Sequence, residues 1–194
     1  MPSLFFFKTL FLLVAALVAV PSWGQLSAQR QAVCASCHGA TGQSQMQGVP
    51  SLAAQPKLFL ENQLVLMREG IRDVPSMKGL LDGLSDNELS AIAQYYSEFP
   101  LPNPTAERQA ALFEYGQKLA KDMRCGICHL PTFMGREQIP RLSGQREDFL
   151  YSSLLQFKNN QAMGRDSNMT ASVQGVSDDD LRALAYYLSR VPPL

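Results

Sequence analysis

Apolar residues fall into two patterns along this 194-residue chain. From Leu4 to Val20 they run almost unbroken, interrupted by Lys8 and Thr9. Downstream they recur at helical spacing: Leu60, Leu64 and Met67 follow the i, i+4, i+7 steps of one helix face. Ser85-x-x-Glu88 predicts a capping box opening a helix that runs to about Ser97. Ser177, trailed by three aspartates, predicts a second capped start, because acidic side chains favour the positive end of the helix dipole. Thr105 and Glu107 predict another helix through about Lys121, with Pro104 as its upstream limit. Strand-like runs of Val, Ile and Thr are missing, so the predicted fold class is all-α.

These patterns occur twice. Val49-Pro50-x-Leu52-x-x-Gln55 matches Ile139-Pro140-x-Leu142-x-x-Gln145 at an offset of 90. Leu60, Leu64 and Met67 match Leu150, Leu154 and Phe157 at the same offset. Met77 matches Met169 at 92, and Leu84-Ser85-Asp86 matches Val176-Ser177-Asp178. Leu89, Ile92 and Tyr95 then match Leu181, Leu184 and Tyr187. A tandem duplication with one or two loop insertions accounts for the register. Between the halves, Phe99-Pro100-Leu101-Pro102-Asn103-Pro104 favours extended backbone and predicts a short stiff linker. The expected organisation is 1–24 as a leader, 25–101 as one domain and 102–194 as the next.

The apolar run near the N-terminus, followed by small residues at Ser22 and Gly24, predicts a secretory signal peptide with Gln25 as the mature N-terminus. The positive region before it is thin, and an uncleaved segment tethering the chain to a membrane is the alternative. Periplasmic localisation is expected. Beyond the leader, 16 basic residues face 17 acidic ones, split 5 against 7 in the first half and 11 against 10 in the second. No basic stripe points to nucleic acid.

All four cysteines and both histidines lie in two short segments, Cys34-x-x-Cys37-His38 and Cys125-x-x-Cys128-His129. C-x-x-C-H attaches a c-type haem: two thiols bond the vinyl groups and the histidine becomes the proximal iron ligand. A zinc ribbon needs its pairs about 15–20 residues apart, whereas 87 residues separate Cys37 from Cys125. A redox dithiol needs a βαβ setting that the chain lacks. A disulfide framework gives no reason for a histidine after each pair. Two covalent haem c groups are therefore expected. Each half is small enough that its side-chain core is marginal, and a porphyrin supplies the missing apolar volume.

With both histidines used proximally, the sixth ligand of each iron falls to methionine, which raises the reduction potential. Seven methionines lie beyond the leader. Met67 aligns with Phe157 and suits core packing. Met46 and Met134 follow their histidines closely, and Met123 just precedes a haem cysteine. Met77 and Met169 alone occupy equivalent positions, which makes them the expected iron ligands, with Met163 the alternative in the second half. An iron with both axial sites filled by protein has no open position for substrate. Electron transfer is expected, not catalysis.

On Cys34-x-x-Cys37-His38-Gly39, Pro50, Met77 and Leu84-Ser85-Asp86, and on Cys125-x-x-Cys128-His129, Pro140, Met169 and Val176-Ser177-Asp178, the chain resembles tandem class I cytochromes c, most closely the dihaem cytochrome c4 family. The resemblance covers essentially everything beyond the leader. It implies two domains, each wrapped around one haem, with N- and C-terminal helices packed across one another. It also implies that the carbonyls of Pro50 and Pro140 accept a hydrogen bond from the proximal histidines; a plain turn at each proline is the simpler alternative. Gly116 stands where such domains cross helices, while its counterpart in the first half is Gln25. Leu130-Pro131 replaces Gly39-Ala40 beside the second haem. Tyr95 and Tyr187 suit either packing or haem propionates, and Arg72 and Arg165 either propionates or exposed loops.

The expected function is single-electron transfer in the periplasm, from a quinol-oxidising complex or dehydrogenase to a terminal oxidase. An electron-accepting subunit held by one dehydrogenase is the alternative. A dihaem peroxidase is weaker, because no third histidine is available for peroxide chemistry.

Overall fold

A computed structural model describes residues 26–101, 104 and 107–192. The leader, Gln25, and Pro102, Asn103 and Thr105 of the linker region lie outside the described residues. The first domain contains α1 (Ala28–His38), α2 (Lys57–Arg68), a 3-10 turn (Pro75–Met77) and α3 (Asp86–Ser97). The second contains α4 (Ala110–Asp122), α5 (Gly126–His129), α6 (Glu147–Lys158), α7 (Ser167–Val173) and α8 (Asp178–Arg190). Among the described residues the only extended pairing is an isolated bridge between Arg136 and Ile139. None of these helices is long and apolar enough to cross a membrane. The all-α expectation holds.

Local signals explain the helix starts. The Ser85 hydroxyl accepts from the Glu88 amide, and the Glu88 carboxylate accepts from the Ser85 amide at 2.8 Å, closing the expected capping box. Ser177 accepts from the Asp180 amide at 3.1 Å. One start departs from expectation: α4 begins at Ala110, and residues 107–109 are not helical. Their backbone is engaged by the last helix instead. The Gln109 amide donates to the Tyr186 hydroxyl at 2.7 Å, and the Glu107 carbonyl accepts from Arg190 Nε at 3.4 Å. Tertiary partners outcompete the local start signal.

Each domain buries its own core. In the first, Leu60 and Leu64 of α2 meet Leu89, Ile92, Ala93 and Tyr96 of α3, with Leu81 and Leu84 closing one end. In the second, Leu150, Leu154 and Phe157 of α6 meet Leu181, Leu184, Ala185 and Leu188 of α8. The matched periodicity thus marks matched faces. Backbone bonds repeat as well: the Ala54 amide donates to the Tyr96 carbonyl (3.2 Å) as the Gly144 amide donates to the Leu188 carbonyl (3.0 Å).

The domains differ at their N-terminal helices. In the second, α4 crosses α8, and buried Gly116 permits the close approach. A Cβ there would stand 2.3 Å from the Ala183 carbonyl oxygen and 2.5 Å from Tyr187 Cβ. In the first, α1 is short; Cys34 within it and Leu26 just before it pack against the core. Arg30 secures it by donating to the Leu80 carbonyl at 3.1 Å.

Candidate haem sites

Both cysteine–histidine segments sit at helix ends. Cys34 and Cys37 lie three residues apart in the last turn of α1, hence on one face, and His38 closes the helix. In the second domain the chain breaks at Arg124, which takes a left-handed φ of 58°, and restarts as the single turn α5 that carries Cys128 and His129. None of the four cysteines is paired in a disulfide. Burial raises the Cys34 and Cys125 thiols above their ordinary range, against the opposing pull of Arg30 on Cys34. A shift in that direction is opposite to the lowered pKa that marks a nucleophilic thiol. Among the described residues no three His, Cys, Asp or Glu side chains converge to hold a metal ion.

Each histidine is oriented by a proline. His38 Nδ1 lies 2.9 Å from the Pro50 carbonyl oxygen, and His129 Nδ1 lies 2.9 Å from that of Pro140. A carbonyl accepts only, so Nδ1 carries the proton and Nε2 keeps a lone pair. That is the tautomer an iron ligand needs. Burial lowers both imidazoles below their ordinary pKa, with the proline carbonyls opposing the shift. A turn alone does not account for two equal contacts of this kind.

The methionines separate by environment. Met77, in the 3-10 turn, is half-buried against the first core. Met169, in α7, is half-buried against the second. Met163 is 76% exposed, so its thioether faces solvent. Met46 is 46% exposed, and Met67 and Met123 pack into the cores.

Tyr95 stacks edge-on against Tyr96 and Phe99, and Tyr187 against Phe113 and Phe133, as packing residues do. Arg72 and Arg165 are not free loop charges. Arg72 donates to the Gln63 side chain, and Arg165 donates to Gln156 and lies over the Phe157 ring. Burial lowers Arg72, and burial together with the Arg72 charge draws Arg165 down to about 9.

Sequence reasoning missed Arg141. Only 1% exposed, it stands beside Pro140 and donates to the carbonyls of Ser143 and, at 3.0 Å, Ala53. Burial draws it down to about 10, and its Nε has no partner. Arg72, Arg141 and Arg165 form no ion pair with a described carboxylate. Desolvated guanidiniums without anions fit a ligand that brings carboxylates, as haem does with its propionates. Paired thiols, an oriented imidazole and a thioether complete a donor set that suits haem c.

Comparison with known proteins defines the class first. The family description "Cytochrome C oxidase, cbb3-type, subunit III" matches residues 21–95, and "Cytochrome c" matches residues 113–192. The protein is thus a tandem c-type cytochrome. Cytochrome c4 of Pseudomonas aeruginosa is 33% identical over 82% of this chain and 84% of its own length. A "Thiosulfate dehydrogenase electron acceptor" of Thiomonas intermedia is 30% identical over 90% of this chain and 85% of its own. The crystal structure of reduced cytochrome c4 from Pseudomonas stutzeri superposes with a TM-score of 0.76 at 29% identity, covering 86% of this chain and 99% of that one. The chain belongs to the cytochrome c4 family. It carries two covalent haem c groups and transfers electrons.

Proposed function

We propose that the protein works in the periplasm, taking single electrons from a quinol-oxidising complex or dehydrogenase and passing them to a terminal oxidase. Cys34, Cys37, His38 and Met77 would hold one haem, and Cys125, Cys128, His129 and Met169 would hold the other. The sequence boundary between the two domains falls between residues 101 and 102. The observation that carries this reading is the pair of 2.9 Å contacts between His38 and Pro50 and between His129 and Pro140. The haems supply the redox chemistry. The polypeptide fixes each imidazole through a proline carbonyl, and the half-buried Met77 and Met169 would each offer a thioether to the iron. A histidine and a methionine on each iron would leave no open position for a substrate, which favours a carrier over an enzyme. The N-terminal leader supports export.

One observation favours a second reading. Similarity to a thiosulfate dehydrogenase electron acceptor supports a carrier dedicated to one dehydrogenase. Pyridine haemochrome quantification and the oxidised spectrum test the ligand assignment: two haems per chain and a methionine–iron charge-transfer band are expected. A single haem, or no such band, overturns it. Co-purification with a dehydrogenase at high salt would select the dedicated carrier.

A further inference from the structure

Gln55 and Gln145 occupy equivalent positions in the two repeats, and both side chains are buried, at 4% and 3% exposure. Both reach into the other domain, and Gln145 Oε1 also accepts from the Arg146 amide of its own domain at 2.9 Å. Gln145 reaches across to Ser51: the Ser51 amide donates to Gln145 Oε1 at 2.8 Å, and Gln145 Nε2 donates to the Ser51 carbonyl at 2.8 Å. Gln55 does the same to Arg141, with both bonds at 3.0 Å. Ser51 and Arg141 are themselves equivalent, 90 residues apart. The interface is therefore a reciprocal exchange of glutamine amides between the domains.

What each amide grips is the informative part. The Ser51 N–H belongs to the same peptide group as the Pro50 carbonyl, which accepts from His38 Nδ1. The Arg141 N–H belongs to the peptide group whose Pro140 carbonyl accepts from His129. A peptide that donates its N–H to a good acceptor becomes a stronger acceptor at its oxygen, because hydrogen bonds in a chain polarise one another. A stronger acceptor at Nδ1 makes the imidazole a better electron donor through Nε2. Burial keeps the chain of bonds in a low-dielectric setting where the effect is largest.

We propose that Gln55 and Gln145 are crossed positioning residues. Gln145 of the second domain tunes the haem of the first through Ser51–Pro50–His38, and Gln55 of the first tunes the haem of the second through Arg141–Pro140–His129. Each clamp raises the electron donation of the opposite domain's histidine, favours its ferric state and lowers its potential. Each also makes that potential sensitive to how the domains are seated. The inference rests on His38 and His129 being the axial ligands.

The test is a redox titration of the full dihaem protein followed by NMR. Haem-methyl signals are assigned to each domain by their Overhauser contacts. Gln145→Met, similar in volume but lacking the amide, should raise the midpoint of the first-domain haem, and Gln55→Met that of the second. The expected change is about two- to tenfold in the ferric/ferrous ratio at fixed potential, where tenfold corresponds to about 59 mV for one electron. A shift on the same-domain haem, equal shifts on both, or no shift overturns the proposal. Amide exchange in the unaltered protein provides an arm that no folding failure removes. The Ser51 and Arg141 amides should be protected, and rapid exchange at both would remove the clamps. This arm does not depend on the axial ligands, whose failure would show instead in the haem spectrum.

Discussion

Gly116 of α4 lies so close to Ala183 of α8 that an added Cβ would stand 2.3 Å from the Ala183 carbonyl oxygen. That atom is backbone within a helix and cannot swing aside. Gly116→Val should therefore force α4 away from α8 and destabilise the second domain by about 1–3 kcal/mol, the usual cost of overpacking. Denaturant unfolding followed at the second haem should show the loss, with the first haem's transition little changed. In the first domain the described part of α1 begins at Ala28, beyond the position equivalent to Gly116.

Gly39, the residue after His38, adopts φ 80° and ψ 152°, a region nearly reserved for glycine. Its added Cβ would meet the Gln43 carbonyl oxygen at 2.5 Å. Gly39→Ala should cost about 1–3 kcal/mol of stability in the first domain, read as a lower unfolding midpoint for that domain. Leu130 takes nearly the same conformation after His129, with φ 68° and ψ 156°. At this position the second domain carries a backbone strain that the first avoids.

Met77→Ala and Met169→Ala should each remove about half of the methionine–iron charge-transfer absorption. Each should also lower the potential of its own haem. Met163→Ala should leave the spectrum unchanged, since that side chain is 76% exposed. An effect of Met163→Ala on the band, with none from Met169→Ala, would reassign the second iron's ligand.

Asp148 bonds the Gly48 amide of the other domain at 2.7 Å while pairing with Arg146, which itself donates to the Ser44 carbonyl. Burial alone would raise this carboxyl; its bonds from Arg146, Gly48 and Phe149 outweigh that and hold it below the ordinary value. A depressed folded-state pKa stabilises the fold above the unfolded value of about 3.9 and is lost as pH falls through the folded one. The domain contact should therefore persist at neutral pH and weaken below about pH 4. Asp148→Asn should remove that part of the acid dependence, measured as the difference between the two proteins' stability profiles from pH 6 to pH 3.

How much of this was legible beforehand differs by element. The capping box at Ser85 was readable because its partners lie three residues apart. The Gly116 crossing was implied by the family resemblance, which places a glycine where the terminal helices cross. The start of α4 was misplaced, because Tyr186 and Arg190, distant in sequence, take the backbone of residues 107–109. Gln55 and Gln145 were visible as a repeated residue, but nothing local says that each amide serves the opposite repeat.

By itself, the sequence determined the chemistry: two C-x-x-C-H segments, two matched methionines and a duplication leave little room for another cofactor. Those signals are short-range or periodic, and covalent spacing carries them. Only the tertiary structure decided how the two halves meet. Arg141 became a buried cation, and the two glutamines crossed over, through bonds between residues about 90 positions apart. Such pairings follow from how two finished surfaces fit, and no local pattern in the chain encodes them.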